Sequence, residues 1–320
     1  MIDALALVFL IHGETQSLAS RPIECGVAAS GTSSAAANVW ERAKEPQLRR
    51  YCDLLASGTS KLVGAGTLAK DVLKIADEAD KLLPGRSAPK ILEGRAHLRL
   101  GKPTEALAAL SEAKKRDDRA LDDPVALLAW ARANARAGKL DEATSAYRAA
   151  LPRTSALTAQ DRSAASFEAG MSVMAHGAKG VDDAVAMLRQ ARRDAQDAMQ
   201  LASVVALALA LDRGGQKEEA RAILAERVRS TDGGGAKSML GDARVVAALT
   251  DAGVGHERDA LLGIALEGVD GAASKEAWHK YLEGPGGKGP WADHARAHET
   301  SAPMVKKKAE PTAPPPPAPR

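Results

Sequence analysis

The sequence predicts an all-α protein built from stacked helix pairs, and three observations carry that prediction. Small residues recur at the spacing of helix crossings. Ala, Leu, Glu, Lys and Arg, all strong helix formers, dominate the middle of the chain. Alternating β-branched runs, the mark of a half-buried strand, are scarce. Aromatic residues make up only 3% of the chain against 45% hydrophobic residues overall, which suits thin helical layers packed through small side chains better than one large core. The 320 residues are enough for one extended array or two compact domains.

In chain order, residues 1–34 read as an apolar, low-complexity leader. The run Ala4–Ile11 is too short to span a bilayer and about right for the apolar part of a secretory signal. No Lys or Arg precedes it, and Asp3 sits where positive charge belongs, so the leader is a degenerate signal at best and both export and a cytoplasmic location stay open. Cys25 is followed by small residues like the spacer after a lipidated cysteine, but Pro22-Ile23-Glu24 lacks the small residues such a site needs before it. The only other cysteine is Cys52. With no Cys-x-x-Cys, a zinc ribbon or redox pair is excluded; the two are free thiols or, in an exported chain, a disulfide.

Residues 35–300 form the helical region. The window Gly101-Lys102-Pro103-Thr104-Glu105-Ala106, with Leu110 and Ala113, matches Gly138-Lys139-Leu140-Asp141-Glu142-Ala143, with Tyr147 and Ala150. Each reads as a helix ending at Gly, a short turn, and a second helix with Ala where the two cross. Gly supplies the left-handed cap. Acidic residues open the second helices, as in Asp141-Glu142, Asp182-Asp183 and Glu218-Glu219, and match the helix dipole. A third window carries Gly170, Ala184, Leu188 and Ala191, with extra turn residues in Gly177–Gly180. A fourth carries Ala208, Gly215, Ala220 and Leu224, with Arg227 in place of Ala.

On these residues the chain resembles the tetratricopeptide repeat (TPR) family over about 48–230, whose unit is about 34 residues in two antiparallel helices. Gly94, Ala106, Leu110 and Ala113 take the family's small, small, large and Ala positions, as do Ala131, Ala143, Tyr147 and Ala150. The interval from Ala113 to Ala150 exceeds one unit, so the linker Asp117–Asp123 holds an insertion. From 231 to 300 the match rests on helicity and on Ala277, Trp278 and Tyr281, with a final capping helix near Pro290–His298. The resemblance implies a right-handed helical-hairpin solenoid of about five to six helix pairs, whose first helices line a concave groove. Carried over position by position, it places Arg95, Arg99, Arg132, Arg136 and Arg213 on that inner face, beside Met171, Met174, Leu209 and Asp212. Arginine forks suit carboxylates, so the groove is expected to take an acidic, extended protein segment. The plainer reading is that these are solvated charges at helical spacing.

Other candidates are weaker. His294 and His298 are four apart on one predicted helix face, with Asp293 nearby, but no third ligand is evident, so no metal is expected. Gly284–Gly289 lacks the spacing and the Ser or Thr of a phosphate loop and follows a helix, so it reads as a connector. Trp40, Trp130, Trp278 and Trp291 are expected to pack between helices. Residues 301–320, with Lys306–Lys308 and Pro314–Pro317, form a Lys/Pro-rich disordered tail. A net charge of +3 and the shortage of aromatic stacking residues argue against a nucleic-acid binder. No catalytic residue and no cofactor stands out, and no integral membrane span is expected. High Ala, Arg and Gly usage points to a GC-rich bacterial genome. The expected function is therefore a protein-binding scaffold or adaptor rather than an enzyme; the alternatives are a structural cell-envelope component or a non-catalytic accessory domain of an enzyme complex.

Overall fold

The computed structural model describes residues 25, 39–63, 68–227 and 233–301. The leader over 1–34 and the tail over 301–320 therefore lie, apart from Cys25 and Ser301, outside the described residues. Among the described residues all regular structure is helical, with 15 α-helices and no strand. In order they are α1 (Val39–Val63), α2 (Ala69–Leu82), α3 (Ala88–Arg99), α4 (Pro103–Arg116) and α5 (Pro124–Arg136). Next come α6 (Leu140–Ala150), α7 (Ala159–Met174), α8 (Val181–Asp194), α9 (Asp197–Arg213) and α10 (Lys217–Arg227). Last are α11 (Gly233–Gly241), α12 (Ala243–Asp251), α13 (Glu257–Leu266), α14 (Gly271–Glu283) and α15 (Ala292–Ser301). None of the described helices is long and apolar enough to cross a membrane.

Local chemistry sets the helix ends. Asp123 accepts from the backbone N–H groups of Val125 (2.8 Å) and Ala126 (2.9 Å), and Pro124 takes the first helical position of α5, where its missing N–H costs nothing. Asp242 and Asp270 cap α12 and α14 in the same way. Gly101 (φ +70°) and Gly138 (φ +73°) close α3 and α5 in the left-handed conformation that the sequence assigns to them.

The helices pack in neighbouring pairs, and the small residues lie at the crossings. A Cβ added at Gly94 of α3 would sit 2.7 Å from Leu110 Cγ of α4, and one at Gly170 of α7 would sit 2.5 Å from Leu188 Cγ of α8. At α5–α6 the corresponding residues Ala131 and Tyr147 are both fully buried. Successive pairs are tied by contacts about one pair apart: Arg116 Nη1 reaches Asp80 Oδ1 at 2.5 Å, 36 residues away, and Arg148 pairs with Asp183, 35 residues away. At the start of the chain Cys25 and Cys52 form a disulfide beside the small core of Tyr51, Leu55, Leu62 and Val72.

The region after residue 232 does more than extend the row. Helix α12 packs on α7 and α9, and α13 packs on α9. Trp291 Nε1 donates to the Met174 carbonyl at 2.8 Å, across 117 residues of sequence. Helix α9 consequently has no solvent face in its second half: every residue from Ala202 to Arg213 is buried. Its sequence, Ala-Ser-Val-Val-Ala-Leu-Ala-Leu-Ala-Leu, is apolar on all sides, as a helix enclosed by neighbours must be. Met171, Met174 and Leu209, which the resemblance places on an open inner face, are fully buried.

Candidate functional site

The five arginines that the resemblance assigns to an inner face separate into two groups. Arg132 lies between helices and grips Glu168 of α7 with both ends of its fork, Nε to Oε2 at 2.7 Å and Nη2 to Oε1 at 2.8 Å. Glu168 is buried, and desolvation raises its carboxyl above the ordinary range although Arg132 opposes the rise. Arg136 serves two helix C-termini at once. Its Nη1 donates to the Leu98 carbonyl (2.7 Å), its Nε to the Thr250 carbonyl (3.1 Å), and Nη2 pairs with Asp251. Each of these last-turn carbonyls also accepts the N–H of the glycine that ends its helix, Gly101 at 3.1 Å and Gly253 at 3.0 Å, so Arg136 is a second donor there. Arg213 is fully buried and ion-paired with Glu257. Arg95 and Arg99 differ. Arg95 is half-buried, Arg99 is exposed, and neither makes a hydrogen bond or ion pair among the described residues. Burial, and then the positive charge of Arg132, lower the Arg95 guanidinium to about 10, an effect only partly opposed by Asp123.

A second cluster of chemistry-bearing side chains surrounds the C-terminal end of α9. Asp212 is the acceptor at its centre. Its Oδ2 lies 2.7 Å from His294 Nε2 and 2.8 Å from His298 Nε2, both on α15. Behind His298, Nδ1 meets Oε1 of Glu267, and Trp278 Nε1 donates to that same oxygen at 3.2 Å. The Trp278 ring stacks on His298 with centroids 4.9 Å apart, and Trp291 meets His294 edge-on at 6.0 Å. Burial alone would raise the Asp212 carboxyl, but the two imidazoles outweigh it and hold it well below the usual range. Burial alone would lower His298, and its bonds to Asp212 and Glu267 instead lift it to about 9. His294 Nδ1 is buried with no hydrogen-bond partner.

One residue along, Arg213 completes the polar layer. Its Nη2 lies 2.9 Å from Glu257 Oε2 and donates to Tyr281 Oη at 3.3 Å, and that hydroxyl donates to Glu257 Oε1 at 3.1 Å. The remaining guanidinium nitrogens have no hydrogen-bond partner, but the group lies 4.9 Å over the Trp291 ring. Burial first, and Glu257 second, raise the Tyr281 hydroxyl, so it stays protonated and can donate.

Sequence reasoning paired the two histidines with Asp293. The structure instead turns Asp293 out to solvent, bonded to Arg296, and brings Asp212 in from 82 residues away. One signal for this existed: the charged pair Asp212-Arg213 ends an apolar helix core, and a buried charge demands partners. Asp212, His294 and His298 each offer one donor atom, and the three atoms lie within 4.8 Å of one another, a set able to hold a metal ion. No family model and no curated protein matches this chain.

Proposed function

We propose that the chain is a non-catalytic protein-binding scaffold, a right-handed TPR-like solenoid that takes an acidic, extended segment at Arg95 and Arg99. The observation that carries this reading is the contrast among the arginines. Arg132, Arg136 and Arg213 are neutralised within the chain, whereas Arg95 sits half-buried near Arg99 and Arg132, without a hydrogen bond or ion pair among the described residues and with Asp123 only partly offsetting its surroundings. A partly desolvated guanidinium gains more from an incoming carboxylate than a solvated one does. Helices whose crossings are fixed by Gly94 and Leu110 hold it in place, which lowers the ordering cost of binding. The Cys25–Cys52 disulfide favours an oxidising compartment for this scaffold.

The test uses the purified full chain and a fluorescent glutamate-rich peptide. Binding should weaken steeply with salt and disappear in the Arg95→Glu/Arg99→Glu double variant, with helix content unchanged. Arg132 is unsuited to this test, because its reversal would leave Glu168 buried against a second carboxylate. Peptide binding that survives the double reversal would remove this reading. Concentration-dependent self-association without peptide binding would favour the structural-envelope alternative.

A further inference from the structure

We propose that Asp212, His294 and His298 form a binding site for a late first-row divalent cation, zinc foremost, with Glu267 as the residue that positions His298. The inference is independent of the scaffold reading. Three donors of the right chemistry converge on one point. Two imidazole Nε2 atoms meet the same oxygen of a single carboxylate at 2.7 and 2.8 Å. Two nitrogens and one carboxylate oxygen are the donors zinc and its neighbours prefer, whereas calcium and magnesium need sets made of oxygen. A tetrahedral zinc holds its donors roughly 3.3 Å apart. The cluster therefore has to open by about half an ångström, within the reach of side-chain torsions alone. Three protein donors leave a fourth coordination position.

The surroundings match the needs of a ligating histidine. Metal coordination through Nε2 requires the neutral tautomer with its proton on Nδ1, and a carboxylate behind Nδ1 fixes that form. Glu267 occupies that place on His298, and Trp278 Nε1 at 3.2 Å in turn holds Glu267. The rings of Trp278 and Trp291 wall the histidines from two sides. Charge points the same way. Asp212 is next to the last residue of α9, where the helix dipole is itself negative, and Glu267 adds a second carboxylate. The neighbouring cation, Arg213, is already committed to Glu257. A dication between Asp212 and the two neutral imidazoles takes the place of the His298 proton, balances the charges of Asp212 and Glu267, and pins α15 to α9 across more than 80 residues of sequence.

The experiment titrates zinc chloride into the metal-stripped full chain by calorimetry, with cobalt(II) absorption as a second readout of donor geometry. The expected result is one tightly bound zinc per chain, a tetrahedral cobalt spectrum, and no comparable heat from calcium or magnesium. Asp212→Asn and His298→Gln should each abolish it, and Glu267→Gln should weaken it by about 10–100-fold. His279→Gln, an exposed histidine outside the cluster, should leave it unchanged. Circular dichroism reports whether each variant folds. Should Asp212→Asn and His298→Gln both unfold, Glu267→Gln decides, and an unchanged affinity there overturns the proposal. Absence of stoichiometric zinc in the wild-type chain, or binding that survives both ligand substitutions, overturns it as well.

Discussion

Replacing Arg213 with Met tests whether the arginine at the end of α9 serves structure or a partner. Its side chain is 0% exposed and that of Glu257 is 1%, so the substitution keeps the aliphatic stem but strips a buried carboxylate of its counter-charge. Glu257 would keep only the Tyr281 hydroxyl at 3.1 Å and a distant His256 nitrogen at 3.6 Å. Removing one partner of such a buried pair costs about 3–5 kcal/mol, because the survivor can neither reach water nor find a new donor. Loss of the guanidinium from the Trp291 face costs about 0.5–2 kcal/mol more. The Arg213→Met/Glu257→Met double variant removes both charges and should recover most of the loss, since a buried pair replaced by apolar groups is often neutral or stabilising. Urea unfolding followed by tryptophan fluorescence suits the measurement, because Trp278 and Trp291 both lie in this layer. A loss under about 1 kcal/mol in the single variant, or a double variant less stable than the single, would refute the reasoning. An Arg213 that served only a partner would leave stability unchanged.

Two further perturbations probe the packing and the caps. Ala143→Leu inserts three carbons at a fully buried position of α6, and overpacking of about 1–3 kcal/mol should lower the melting temperature; an unchanged melting temperature would place the helix crossing elsewhere. Asp242 gives the pH dependence. Burial alone would raise its carboxyl, but the Arg244 side chain and backbone N–H lower it below the ordinary 3.8. A depressed carboxylate stabilises the fold fully above its unfolded value, and that contribution is lost as pH falls through the folded value. Melting temperatures taken between about pH 5 and pH 2 should therefore fall less steeply in Asp242→Asn than in the wild type. Parallel curves would show that Asp242 does not set the acid limb.

What the sequence made legible was local. Gly94, Ala106 and Leu110 announce their crossing because the residues that touch are near in sequence and repeat with it. Gly101 and Gly138 announce helix ends because only glycine takes that backbone conformation without strain. That Arg132 and Arg136 lie on one helix, a turn apart, was readable, but their partners were not. Glu168 sits on a neighbouring pair, and Asp251 lies 115 residues away with no period to connect them. The Asp212 cluster escaped for the same reason: His294 and His298 advertise a shared helix face, while their common acceptor is contributed by a helix six helices earlier. The cysteine pairing stayed open because two thiols 27 residues apart are compatible with either redox state.

The enclosure of α9 has a cost during synthesis. Its apolar flanks and those of α7 leave the ribosome well before the helices that cover them, since Trp291 follows Met174 by 117 residues and His294 follows Asp212 by 82. At about 5–20 residues per second, the nascent chain displays this greasy surface for roughly 4–23 s. A partly made chain is then a natural client for a holdase, and one cut short before α15 would keep that surface bare. Reporter tags at the C-terminus and truncations within 243–301 should for this reason be judged first by solubility and only then by binding.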